Sequence, residues 1–225
     1  MIVQIYTAQS PREAQALAEV GVDRVGITPS TYDLPGVVSY EEGRAIADAT
    51  RGRAISVALT VDSDEVPVIE MVERVRPEIL HSCGPMDAFA PEDVDRIKRR
   101  LGGIPVMQAI PMGDPRAVDL ACAYGEVADY LILDTEAGFM DAVGASGKIH
   151  DWSVSRRIVE TVEIPVILAG GLSPANVADA IAAVRPWGVD SLTHTNRSLP
   201  GGGFEKDLDG VKEFVHRAKA AERST

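Results

Sequence analysis

The strongest constraint on this chain is its alternation. Eight short β-branched runs stand at 3–7, 24–28, 54–60, 79–82, 106–110, 130–135, 165–169 and 189–193. Between and after them lie eight amphipathic stretches, at 10–20, 39–50, 66–74, 91–101, 115–124, 153–161, 174–184 and 208–221. Runs of this length suit strands, and the intervening periodicity suits helices. Eight strand–helix units in 225 residues is the count of a closed (β/α)8 TIM barrel, an α/β fold. An open doubly wound sheet would stop at five or six strands. Residues 1–225 therefore read as a single barrel domain, with no linker or low-complexity segment. Helix starts are marked: Ser10-Pro11 with Glu13 behind it offers a cap, a first-turn proline and an acidic third position. Ser173-Pro174 and Asp114-Pro115 repeat the cap-then-proline signal. The longest connection, 136–149, carries Gly138, Gly144 and Gly147 and reads as a working loop.

Composition narrows the class of partner. The formal net charge is -12, so the basic footprint that phosphate backbones require is missing and no nucleic-acid partner is expected. A local pocket for a small anion stays compatible with that charge. No apolar run approaches the ~18 residues of a membrane span. The segment Met1-Ile2-Val3-Gln4-Ile5 lacks the basic-then-apolar order of a signal peptide, so a cytoplasmic location is expected. Cys83 and Cys122 make neither a disulfide framework nor a CxxC motif.

In a barrel, chemistry sits at the C-terminal ends of the strands. The polar residues there are Gln4, Tyr6 and Thr7, then Thr28, Thr60, His81 and Gln108, then Asp134 and Glu136, and finally Thr193, His194 and Asn196. Asp134 closes an apolar run; partial burial there would raise its pKa and fit it for general acid work, the plainer alternative being a strand-end cap. Gly170-Gly171 follows the seventh run and opens a helix, which suits close approach of a phosphate. Thr193 and Thr195 after the eighth run, with Ser146 and Gly147 beside Lys148, would complete such a cup. His81 and His194 are candidate proton shuttles. His81, Asp134, Glu136 and His194 also have metal-ligand chemistry, but their spacing is no motif, and neither a metal nor an organic cofactor is expected. Trp152, Trp187, Cys122 and Met107, Met112 and Met140 read as packing residues, and 93–100 as a solvated helix face.

Two longer segments carry a resemblance. Gly144-Ala145-Ser146-Gly147-Lys148-Ile149-His150-Asp151-Trp152 and Leu168-Ala169-Gly170-Gly171-Leu172-Ser173-Pro174-Ala175-Asn176-Val177 are similar to stretches of the phosphoribosylanthranilate isomerase family of tryptophan biosynthesis. Arg185-Pro186-Trp187-Gly188-Val189-Asp190 and Leu80-His81 extend the likeness. The resemblance implies a barrel, a phosphorylated small-molecule substrate, Asp134 as general acid, and a monomer or homodimer. The chain also departs from the pattern. Tyr6 stands where the family has its Cys base, and Gln4 where it has Lys. The Arg that meets the anthranilate carboxylate falls near Gly36, and Leu192-Thr193-His194-Thr195-Asn196 replaces Ser-Ser-Gly-Val-Glu.

Three readings follow. The first is a divergent isomerase, epimerase or lyase on a phosphorylated sugar, with Asp134 as acid, His81 or His194 as partner, and Tyr6 in the vacated base position. The second is the authentic isomerase with a substitute base, Tyr6, Cys83 or Glu136. The third is a phosphate-ester binding protein without turnover.

Overall fold

A computed structural model describes residues 1–86, 88–135 and 149–223. Eight parallel strands close into a barrel in chain order: β1 (Ile2–Ile5), β2 (Arg24–Ile27), β3 (Ile55–Thr60), β4 (Ile79–Ser82), β5 (Val106–Pro111), β6 (Tyr130–Asp134), β7 (Val166–Leu168) and β8 (Gly188–Ser191). Closure comes from β1 pairing with β8 over Ile2↔Gly188 to Ile5↔Ser191. The helices are α1 (Pro11–Glu19), α2 (Tyr40–Thr50), α3 (Glu65–Val75), α4 (Pro91–Arg100), α5 (Ala117–Gly125), α6 (Trp152–Thr161), α7 (Val177–Val184) and α8 (Leu208–Glu222). The (β/α)8 reading of the sequence holds.

Local chemistry explains most of the boundaries. Ser10 Oγ accepts the Glu13 N–H, and Pro11 opens α1 where a missing N–H costs nothing. Ser39 and Glu42 close a reciprocal capping box on α2. The cap-then-proline signal misplaces two starts. At α5 the Asp114 carboxylate accepts the Arg116 N–H in a turn, and the helix begins only at Ala117. At α7 Asn176 Oδ1 accepts the Ser173 N–H, and the helix begins at Val177. Cys122 is also a correction: α5 buries Ala117, Ala121 and Tyr124, and the helical period turns Cys122 to the exposed side. One element has no forerunner in the sequence reading. Beyond β8, a short 3-10 turn (Thr193–Thr195) leads into an antiparallel hairpin of β9 (Asn196–Ser198) and β10 (Phe204–Lys206).

The period-two alternation of each strand separates two cores. Residues facing outward, such as Val3, Val25, Leu80 and Leu131, pack under the helices. Residues facing inward, including Val57, Ile79, Met107, Ile132 and Ile167, fill the barrel. Its N-terminal end is closed by Arg24, whose guanidinium lies 4.1 Å from the Tyr130 ring centroid and 4.8 Å from that of Trp187. Above the apolar layer the inward positions turn polar, with Gln4, Tyr6, His81, Asp134 and Asp190.

Candidate active site

At the C-terminal mouth, β6, β7 and β8 end around a narrow cleft. Asp134, Gly170, Gly171, Asp190, Thr193 and His194 line it. Gly170 and Gly171 have φ of +79° and +67°, so the turn after β7 needs glycine. A Cβ on Gly170 would stand 2.8 Å from His150 Nδ1 and 3.0 Å from Thr135 Oγ1. Thr193 and His194 are exposed on the cleft rim. Among the described residues, neither Lys nor Arg lines the cleft.

The two carboxyl groups set the electrostatics. Asp134 keeps part of its surface open to the cleft, yet the protein packed around it pushes its pKa up to about 7. The Thr135 N–H, donating to Asp134 Oδ1 at 2.7 Å, pulls the other way without winning. Asp190 is pushed up to about 8, first by burial and next by the charge of Asp134. Gln4 Nε2 donates to Asp190 Oδ1 at 3.0 Å and, with the Lys206 charge, offsets part of that rise. Both carboxyl groups are thus raised toward neutrality in the lining of one cleft and titrate as an interacting pair.

Asp190 was absent from the candidate residues of the sequence. A signal existed: along β8 it shares the inward face with Gly188, one strand from Gln4, its register partner. His150 was also missed. Its Nε2 lies 2.7 Å from Ser155 Oγ, burial lowers its pKa to about 4, and its Nδ1 has no partner among the described residues.

Other candidates are placed differently from expectation. The Tyr6 side chain points into the barrel, and its hydroxyl lies 2.9 Å from His81 Nδ1. Burial raises Tyr6 well above 10 and lowers His81 to about 3. Burial thus keeps the phenol protonated and leaves the imidazole reluctant to take its proton, so the pair is a poor base near neutral pH. Thr195 is fully buried, and both its N–H and its hydroxyl donate to the Leu192 carbonyl. The 3-10 turn that makes those bonds withdraws it from the phosphate cup. Gln108 turns to the helix layer and donates to the Ala109 carbonyl. Cys83 is buried in the inner core. Glu136, Ser146, Gly147 and Lys148 lie outside the described residues, as do Gly138, Met140 and Gly144. Among the described residues no group of three His, Cys, Asp or Glu side chains could hold a metal, and no helix is long and apolar enough to cross a membrane.

A family model described as N-(5'phosphoribosyl)anthranilate (PRA) isomerase matches residues 3–216. The isomerase of Methanocella arvoryzae is 33% identical over 219 residues, which cover 96% of this chain and 97% of the relative. That of Haloferax volcanii is 32% identical, covering 97% of this chain and 93% of the relative. The chain belongs to the phosphoribosylanthranilate isomerase family. The solved structure of the Pyrococcus furiosus enzyme superposes with a TM-score of 0.76 at 25% identity, covering 98% of this chain and 99% of that one. A Thermotoga maritima phosphoribosylanthranilate isomerase gives 0.75 at 27%, covering 98% and 100%.

Membership in this family of isomerases sharpens the departures. Gly36, near which the family's clamp arginine falls, has φ +70°, and a Cβ there would meet Thr7 Cγ2 at 2.3 Å and Phe204 Cζ at 2.8 Å. No side chain fits. Asn196 replaces the family's Glu, and its Oδ1 accepts from Lys206 Nζ at 2.6 Å. Lys206 is buried, also donates to the Tyr6 carbonyl, and burial lowers its pKa to about 7.

Proposed function

We propose that the protein catalyses an aldose-to-ketose rearrangement of a phosphorylated ribosyl amine, with N-(5'-phosphoribosyl)anthranilate as its substrate. The observation that carries this reading is the cleft shared by Asp134 and Asp190 beside the Gly170-Gly171 turn. The full-length identity to enzymes named for that reaction supports the substrate. The phosphate lies over Gly170-Gly171, where backbone close to the ligand can donate, with Thr193 on the facing side and Ser146 and Gly147 as the remaining wall. Asp134 acts as general acid. With a pKa of about 7 it carries a proton for a substantial fraction of the time near neutral pH. It passes that proton to the furanose ring oxygen as the bond from C1' to that oxygen breaks, and the amine nitrogen lone pair completes an iminium. Loss of the C2' proton then gives an enolamine, which becomes the ketose when C1' is protonated and the 2'-hydroxyl proton departs.

One observation favours a second reading, the divergent sugar-phosphate enzyme. Gly36, near the position of the arginine that would meet a benzoate carboxylate, packs against Thr7 and Phe204, so an arginine there would displace both. On that reading the amine carries another substituent.

A turnover assay separates the two. Phosphoribosylanthranilate is generated in situ and its loss followed by fluorescence. Wild type is expected to turn over, and Asp134→Asn to lose about 10²–10⁴-fold in kcat while a reduced product analogue still raises the Tm. A well-folded wild type that leaves this substrate untouched overturns the first reading and directs the search to other phosphorylated ribosyl amines. Analogue binding without turnover of any of them supports the non-catalytic alternative.

A further inference from the structure

The family position for the proton-abstracting group is filled by Tyr6, which the barrel interior and His81 take out of service. The rearrangement proposed above still needs a base. Among the described residues the cleft presents one other carboxylate, Asp190, in the same wall system as Asp134. Its Oδ1 is held by Gln4 Nε2 at 3.0 Å, which fixes the carboxyl plane and leaves Oδ2 uncommitted to that contact. Gln4 is itself fully buried, and its Oε1 has no partner among the described residues. Position 4 is where the family resemblance places a lysine. A lysine there would set a buried ammonium against Asp190 and hold the carboxylate weakly basic. Glutamine keeps the hydrogen bond and removes the charge. Two exchanges at the end of β1 thus belong together: the base leaves position 6, just past the strand, and the cation that would quench its successor leaves position 4.

We propose that Asp190 is the base that removes the C2' proton, and that the exchange to Gln4 is what makes this possible. This rests on the reaction proposed above. The protons balance over one turnover. Asp134 gives its proton to the ring oxygen and becomes a carboxylate. Asp190 takes the proton from C2' as the C1'–C2' double bond forms and the iminium electrons return to nitrogen. Asp190 then returns its proton to C1', and the 2'-hydroxyl gives its proton to Asp134 as the carbonyl forms. Both groups end as they began.

The groups facing Asp190 are Asp134 from β6, Lys206 from β10, Gln4 from β1 and Tyr6 just beyond it; Ile167 of β7 and Ala169 just after it carry no charge. Asp134 and burial raise Asp190 to about 8, while Gln4 and Lys206 act in the opposite direction. Asp134 at about 7 and Asp190 at about 8 differ by a factor of about ten in proton affinity. The arrangement with the proton on Asp134 and the charge on Asp190 therefore stays accessible near neutral pH.

The test uses Gln4→Lys, Asp190→Asn and Tyr6→Phe in the full chain, with aspartate carboxyl carbons labelled for NMR. In the free protein the signal lost in Asp190→Asn is expected to titrate near pH 8, and to move to lower pH in Gln4→Lys. A signal already titrating below pH 5 in wild type overturns the proposal, whatever the substrate. On phosphoribosylanthranilate, Asp190→Asn is expected to lose at least about 10²-fold in kcat. Tyr6→Phe should stay within about fivefold, and the acid limb of the kcat profile should move down in Gln4→Lys. An Asp190→Asn variant as active as wild type, or a Tyr6→Phe variant as impaired as Asp190→Asn, overturns the assignment while leaving the reaction standing. A wild type inactive on this substrate instead overturns the reaction, and the titration alone then decides whether Asp190 is the basic carboxylate described here.

Discussion

Single side chains in the barrel mouth are held at protonation states that water would not give them, and this has a signature in stability. Asp190 has a folded pKa of about 8, against an unfolded value of about 3.9. A carboxyl raised in this way binds its proton more tightly when folded. Its contribution is fully present below about pH 4 and is lost as pH rises through the folded pKa. Buried His81, lowered to about 3, works in the opposite direction below about pH 6.5. A raw stability curve would therefore mix the two signs. The difference between wild type and Asp190→Asn isolates one of them. The Tm of wild type relative to the variant is expected to fall steadily from pH 5 to pH 9, and parallel curves would contradict the raised carboxyl. Asp134 was legible in the sequence because it ends an apolar run. Asp190 was not, because it sits within a run read as strand, and its importance depends on which way that strand faces. The role of Tyr6 was legible as a departure from the family, but its bond to His81 depends on the barrel closing.

Elements explain why certain side chains tolerate no change. Gly26 on β2 lies under the Tyr6 ring, and a Cβ there would stand 2.2–2.4 Å from three ring carbons. In the wild-type background Gly26→Ala is expected to cost about 2–3 kcal/mol by overpacking. Tyr6→Cys removes the ring, and in that background the same alanine should cost less than about 1 kcal/mol. Urea unfolding of the four proteins of this cycle measures the coupling; additive losses would mean that Tyr6 is not what Gly26 accommodates. The eight strand–helix units were legible from length and periodicity, since each is long enough to show its period. The β9–β10 hairpin was not. Its three-residue strands flank Pro200-Gly201-Gly202-Gly203, and so short a run carries no readable alternation. The starts of α5 and α7 slipped because Asp114 caps a turn rather than a helix, and because Ser173 is itself capped, its N–H donating to Asn176 Oδ1.

The whole molecule is strongly acidic, with a formal net charge of -12, yet the proposed substrate is a phosphate. At low ionic strength that field repels the ligand over a Debye length of about 30 Å, which shrinks to about 8 Å at 0.15 M. If the phosphate is met by backbone at Gly170-Gly171, kcat/KM should rise about twofold or more between those conditions. A steep fall instead would mean that a cation outside the described residues, with Lys148 the first to mutate, draws the phosphate in. Expectations drawn from charge alone are coarse, because they cannot tell a uniform field from one with a basic pocket in it.

The tight seat of Gly36 bears on how this barrel could change its specificity. An arginine at that position would need the Thr7 side chain, the Phe204 ring and a left-handed backbone to give way together, and Phe204 belongs to the hairpin that also carries Lys206. No single substitution leads from this loop to a carboxylate clamp. Engineering toward one would therefore start with Thr7 and with the hairpin that holds Phe204, whose Lys206 also faces the cleft residue Asp190.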